Sequence, residues 1–169
     1  MTSQSIAGLA TLGDGSMAVA NAAREVYRPD STQWSQLGTM LASARMDLGL
    51  IVAGSDSSIW YPTSSDGIGL VGPGLDGSLN SANSCIEGFW GFPLGLDADG
   101  HLVASYGAFV EQTIEFGLIG VSRVDTSSCT LACADLPSDG PWLVTRYCRD
   151  SLGGEWFLYQ SSTVNPVRD

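Results

Sequence analysis

From Leu50 to its last residue the chain consists of short apolar runs, each closed within a few residues by Gly, Asp, Ser or Pro. This punctuation restricts that part of the protein to strands joined by turns. Five Asp-Gly pairs, beginning at residues 14, 66, 76, 99 and 139, mark turns, because Gly supplies a positive φ and Asp tolerates one. Strands are expected near residues 49–54, 57–62, 85–91, 101–107, 116–124, 142–148 and 155–161. The clearest hairpin joins Pro93–Leu96 to His101–Ala104 through Asp97-Ala98-Asp99-Gly100, and another joins Trp142–Cys148 to Glu155–Gln160 through residues 149–154. Successive strands joined by tight turns imply antiparallel pairing, and about seven of them imply two packed sheets or a partly closed barrel. The stretch 63–84, rich in Gly, Ser and Asn, reads as an extended loop of the kind that another surface can order.

The first 48 residues have a different texture. Met17, Ala20, Ala23 and Tyr27 recur at helical spacing after a possible Ser16 N-cap, and Arg28-Pro29-Asp30 would end that helix. A second helix is expected from Ser31 toward Leu48, with Trp34, Leu37, Leu41, Ala44 and Leu48 on one stripe and Gly49 at its end. The expected fold class is therefore α+β, mainly β: a helical N-terminal segment at 1–48 followed by an antiparallel β domain at 49–169, together one folding unit.

The side-chain inventory narrows the chemistry. Among 169 residues there is no lysine, seven arginines carry all the side-chain positive charge, and His101 is the only histidine. No Schiff-base amine, phosphate-loop lysine or metal centre with two histidines can be built from such a chain. The formal net charge of −11 repels nucleic-acid phosphate, so direct nucleic-acid binding is not expected. Charged residues make up only 15% of the sequence, against about 25% for ordinary soluble domains, which suits a surface covered by neighbours as well as it suits a neutral secreted one. No basic, apolar leader opens the chain and no apolar stretch is long enough to span a bilayer. Synthesis in the cytoplasm without a signal peptide or membrane insertion is the expectation, with the final location either there or in a virion or extracellular particle.

Several motifs point to chemistry only in part. Gly72-Pro73-Gly74-Leu75-Asp76-Gly77 spells a dinucleotide fingerprint, but Ser78–Ser84 is a poor helix and a phosphate site needs a helix opening there. Asp97 and Asp99 before Gly100 suggest a surface calcium site, although the spacing is not that of an EF-hand and a hairpin turn is the plainer reading. His101 could act as a general base oriented by Asp97 or Asp99, yet no Gly-x-Ser-x-Gly elbow accompanies it. Cys129 and Cys133 have a spacing that could begin a zinc site completed by Cys148 and either Cys85 or His101, but no second close pair follows, and buried thiols or one disulfide fit as well. Glu87, Glu111, Glu115 and Glu155 could supply a glycosidase-type carboxylate pair.

The runs Phe89-Trp90-Gly91-Phe92 and Trp156-Phe157-Leu158-Tyr159 are apolar on both faces, so each is either a central strand or a strand with one face on a partner. Taken together these features favour a non-enzymatic structural protein, associating laterally with itself or with other subunits in a symmetric oligomer or virion-like shell and requiring no cofactor. Its interface groups would be Arg24, Arg28, Arg45, Arg123, Arg146, Arg149, Trp156, Phe157 and Tyr159, arginine being suited to buried pairing with carboxylates. The alternatives are a carbohydrate-binding module with Trp60, Tyr61, Trp90, Trp142 and Tyr147 as stacking groups and calcium at Asp97 and Asp99, or a hydrolase using His101 or a carboxylate pair.

Overall fold

The computed structural model describes residues 5–46, 50–54, 57–64, 67–72, 75–79, 90–110, 113–121 and 142–161. These residues form antiparallel β-structure in four small sheets, with no α-helix among them. The first sheet is a meander of β1 (Ile6–Thr11), β2 (Met17–Asn21), β3 (Glu25–Asp30) and β4 (Gln33–Thr39). The second runs through β5 (Val52–Ala53), β6 (Ile59–Pro62), β7 (Ile68–Gly72) and β8 (Leu75–Leu79). A third contains β9 (Trp90–Leu96), β10 (Leu102–Val110) and β11 (Thr113–Val121), and a fourth pairs β12 (Trp142–Arg149) with β13 (Glu155–Ser161).

The sheets pack on one another in chain order: β1 and β4 contact the second sheet, β5 to β7 contact β9, and β12 contacts the third sheet. Burial follows from this packing. Strand alternation sends Ile59 and Tyr61 of β6 toward the first sheet, where they meet Leu12, Ala18, Ala20, Val26 and Met40, and sends Trp60 the other way. All of Ile59–Pro62 and Ile68–Gly72 is consequently buried, as is Leu102–Gly107 of β10. The first sheet, covered on one side, alternates between buried and exposed positions along β1.

The two expected N-terminal helices are replaced by the first sheet, which corrects the fold class from α+β to all-β. Alanine fits a strand as readily as a helix: Ala18 and Ala20 are fully buried against the second sheet, Val19 between them is buried as well, and Met17 at the start of β2 is exposed. The would-be first helix is broken at Asn21, whose side-chain oxygen accepts the N–H groups of Ala23 and Glu25 at 2.9 and 3.0 Å, a local bond that competes with helix. Pro29 then sits in β3 beyond its last pair with β2, where a strand tolerates a residue without an N–H. In the second expected helix a bulge between Val26 and Tyr27 shifts the β4 register, so Leu37 packs on the core while Trp34 is exposed. The sheets are open, so the seven-stranded sandwich or barrel is replaced as well, and the loop expected at 63–84 contains β7 and β8.

One turn opens every sheet. At residues 12–16, 54–58, 97–101 and 150–154 the first residue's N–H donates to the fifth residue's carbonyl and the fourth residue's N–H donates back to the first carbonyl. The fourth residue has positive φ in each: Gly15 at 82°, Ser57 at 66°, Gly100 at 82° and Gly153 at 86°. This is a hairpin turn closed by a left-handed residue, a common connection between paired strands. The first three begin about 42–43 residues apart, a spacing characteristic of repeats built from one small sheet each. The Asp-Gly pairs at 14 and 99 lie in these turns, that at 76 lies inside β8, and that at 139 is outside the described residues.

Candidate functional site

Two places bring sequence-predicted residues together: the turn between β9 and β10, and the fourth sheet. In the first, one carboxylate oxygen of Asp97 accepts the N–H groups of Asp99 and His101 at 2.9 and 2.8 Å, and the other lies 3.0 Å from His101 Nδ1. Burial pushes the Asp97 carboxyl up, but the His101 backbone and ring and the Asp99 N–H more than offset it and leave the pKa below the usual carboxylate value. Ligand atoms of Asp97, Asp99 and His101 lie within 4.8 Å of one another. Calcium prefers six to eight oxygen ligands, whereas here both oxygens of Asp97 already serve the turn and one of the three residues offers nitrogen. Asp150 plays the same part between β12 and β13, accepting from Leu152 and Gly154 at 2.9 and 2.8 Å, without a histidine beside it. The shared role is hairpin construction. Asp97→Ala should therefore lower stability by about 1 kcal/mol, read by urea unfolding, with the loss shrinking below about pH 4 as the native carboxylate is itself protonated.

His101 has the Nδ1–carboxylate contact that a general base needs. Among the described residues its ring makes no hydrogen bond to a hydroxyl or thiol. Of the carboxylates considered for acid–base work, Glu155 accepts the Tyr147 hydroxyl at 2.9 Å, Glu115 lies in β11, and Glu87 and Glu111 fall outside the described residues. Cys148 is a free, exposed thiol; Cys85, Cys129 and Cys133 are also outside them.

The fourth sheet is docked through Tyr147. Its ring covers Gly95 of β9, where a Cβ would stand 2.6 Å from Tyr147 Cδ1, and it packs on Phe157 with centroids 5.1 Å apart. The hydroxyl donates to Glu155, with the Leu96 carbonyl 3.3 Å away. Burial, then the Glu155 hydrogen bond, push the phenol up to about 12. The other side of this sheet faces solvent. Cys148 pairs with Trp156 and Arg146 with Leu158, and Trp156 and Leu158 remain 62% and 61% exposed. The Trp156 indole is held by a 2.9 Å bond to Asp150, which lowers the Asp150 pKa together with the two turn N–H groups.

The remaining predicted residues are dispersed. Trp60 and Tyr61 lie in the core and present no ring to solvent; Trp90, Trp142 and Tyr159 are placed only by their strands. Arg24 and Arg28 are half-buried on the first sheet, while Arg45, Arg146 and Arg149 are exposed; Arg123 is outside the described residues. Arg24 adopts φ 68°, and its Nε is buried without a hydrogen-bond partner among the described residues. Sequence reasoning missed Leu9, Met17 and Trp34, exposed on the first sheet, because the helical reading placed Met17 and Trp34 on buried stripes. No known protein family, curated protein or solved structure matches the chain.

Proposed function

We propose that this protein is a structural subunit that works by association of its sheet faces in a larger assembly. The observation that carries this reading is the solvent side of the fourth sheet, where Trp156 and Leu158 lie exposed on one face of β13 with Arg146 opposite. A strand apolar on both sides, with only one side covered by its own chain, has the composition of an interface core, in which aromatic residues and arginine are enriched. Trp156 is already oriented by Asp150, which reduces the ordering cost of burying it against a partner.

A carbohydrate-binding surface draws less support, since two of its five proposed stacking groups are buried. The test is native mass by light scattering over a range of protein concentrations, with and without reductant. A discrete assembly or a concentration-dependent rise in mass is expected, and Trp156→Ser should weaken association at least tenfold, the scale of a hot-spot aromatic. A monomer at every concentration overturns the reading.

A further inference from the structure

Asp97 has two roles in the turn between β9 and β10, and only one of them builds the hairpin. Its Oδ1 accepts the Asp99 and His101 N–H groups at 2.9 and 2.8 Å, as Asp150 Oδ1 accepts those of Leu152 and Gly154 between β12 and β13. That second turn closes with Leu152 and Gly154 where the first has Asp99 and His101, and the turn at 12–16 closes with Asp14 and Ser16 in the same places. The hairpin therefore requires neither the imidazole nor the second carboxylate. Both nevertheless gather around Asp97 Oδ2. His101 Nδ1 stands 3.0 Å from it, and ligand atoms of Asp97, Asp99 and His101 lie within 4.8 Å of one another. The Asp99 side chain is exposed and makes no hydrogen bond among the described residues.

We propose that Asp97 Oδ2, the Asp99 carboxylate and His101 Nδ1 bind one first-row divalent cation of the zinc class. One imidazole nitrogen with two carboxylate oxygens is a donor set that zinc accepts and that calcium, which takes oxygen ligands, does not favour. Zinc bonds of about 2.0–2.2 Å place neighbouring donors of a tetrahedral ion about 3.3 Å apart, so Nδ1 and Oδ2 need separate only slightly to receive one. The ion takes the place of the proton between them and leaves the neutral ring with its hydrogen on Nε2. Asp99 closes the third bond by rotation of an exposed side chain, and the fourth position of the tetrahedron falls to water. The surroundings favour a cation. Burial raises the neighbouring Tyr147 phenol most, and Glu155 and Asp97 push it up further against the opposing charge of Arg149. In a chain of formal net charge −11 the wider field has the same sign. The site is independent of the assembly reading.

Because His101 is the only histidine, its ring signals in the nuclear magnetic resonance spectrum of isotopically labelled, untagged protein report on this place alone, and zinc held by a cysteine elsewhere leaves them unmoved. Zinc chloride should carry them to a saturable end point at one ion per chain, while calcium chloride at the same concentration should not. Asp99→Asn should weaken the titration about tenfold or more, the scale on which even an outer partner of a metal ligand counts. Asp99→Ser replaces it if the melting temperature of the parent is not kept. Ring signals that stay put under a large excess of zinc overturn the site and leave the cluster a turn alone. Equal affinity in the Asp99 variant overturns the three-residue site in favour of a lone imidazole, and an equal response to calcium overturns the class of ion.

Discussion

Gly69→Ala should destabilise the protein by about 2–3 kcal/mol, the cost of forcing a methyl group into a filled core, or roughly 4–12 °C in melting temperature for a chain of this size. Gly69 pairs with Tyr61 across β6 and β7, and the Tyr61 ring lies flat over the space a side chain would need: a Cβ at this position would overlap Tyr61 Cε2 and Cζ. The ring cannot move aside cheaply. It is 1% exposed and among the largest fully buried side chains, and it packs with Ile59, Val71 and the first sheet. Its hydroxyl also accepts the Leu41 N–H at 3.0 Å, so displacing it frees a backbone donor in the turn after β4. In the Gly69→Ala background, Tyr61→Leu should cost less than it does in the parent, because shortening the side chain relieves the overlap. Equal cost in the two backgrounds, measured by urea unfolding, would assign the loss to something other than this contact.

The same pair illustrates what the sequence made legible. Ile59-Trp60-Tyr61-Pro62 reads as strand material because no polar residue interrupts it, and a strand covered on both faces needs none; Ile68-Gly69-Leu70-Val71 is as apolar, but the Gly, Ser and Asn around it placed it in the expected loop at 63–84. The hairpins around Asp97–Gly100 and Asp150–Gly154 were legible for a local reason: the turn is written in its own residues, with a left-handed Gly as the fourth. The first sheet was not legible. Ala18, Ala20 and Ala22 carry no periodic signal, and the positive-φ position of its second turn is filled by Arg24, where Gly would have marked it. The recurring turn was hidden for a similar reason. Its bonds are mostly between backbone groups, so Leu12, Gly54, Asp97 and Asp150 occupy one structural position without sharing a side chain. For the candidate site, sequence identified Trp156 as a residue wanting cover, while only the register separates it from Phe157 and places it outside with Leu158.

Gly95→Ala should release the fourth sheet from the third and with it the proposed association, while the first two sheets stay folded. The added Cβ would stand 2.6 Å from Tyr147 Cδ1, and the ring that would have to give way is the one that docks β12. The expected local cost is about 1–3 kcal/mol, which hydrogen exchange should report as faster exchange across Trp142–Ser161 than across Ile59–Gly72. Alkali should reach the same state in the unmutated protein. The Tyr147 phenol is pushed up to about 12 in the fold against about 10 in an unfolded chain, so the folded state holds the proton more tightly. The stabilisation is therefore complete below pH 10 and is lost as pH rises from 10 to 12. Tyr147→Phe removes that pH dependence while keeping the ring over Gly95. Native mass then separates the causes: if the fourth sheet carries the interface, Gly95→Ala lowers mass at neutral pH, the parent loses mass reversibly between pH 10 and 12, and Tyr147→Phe resists the alkaline loss. Full assembly by Gly95→Ala, with its fourth sheet exchanging freely, would place the interface elsewhere on the chain.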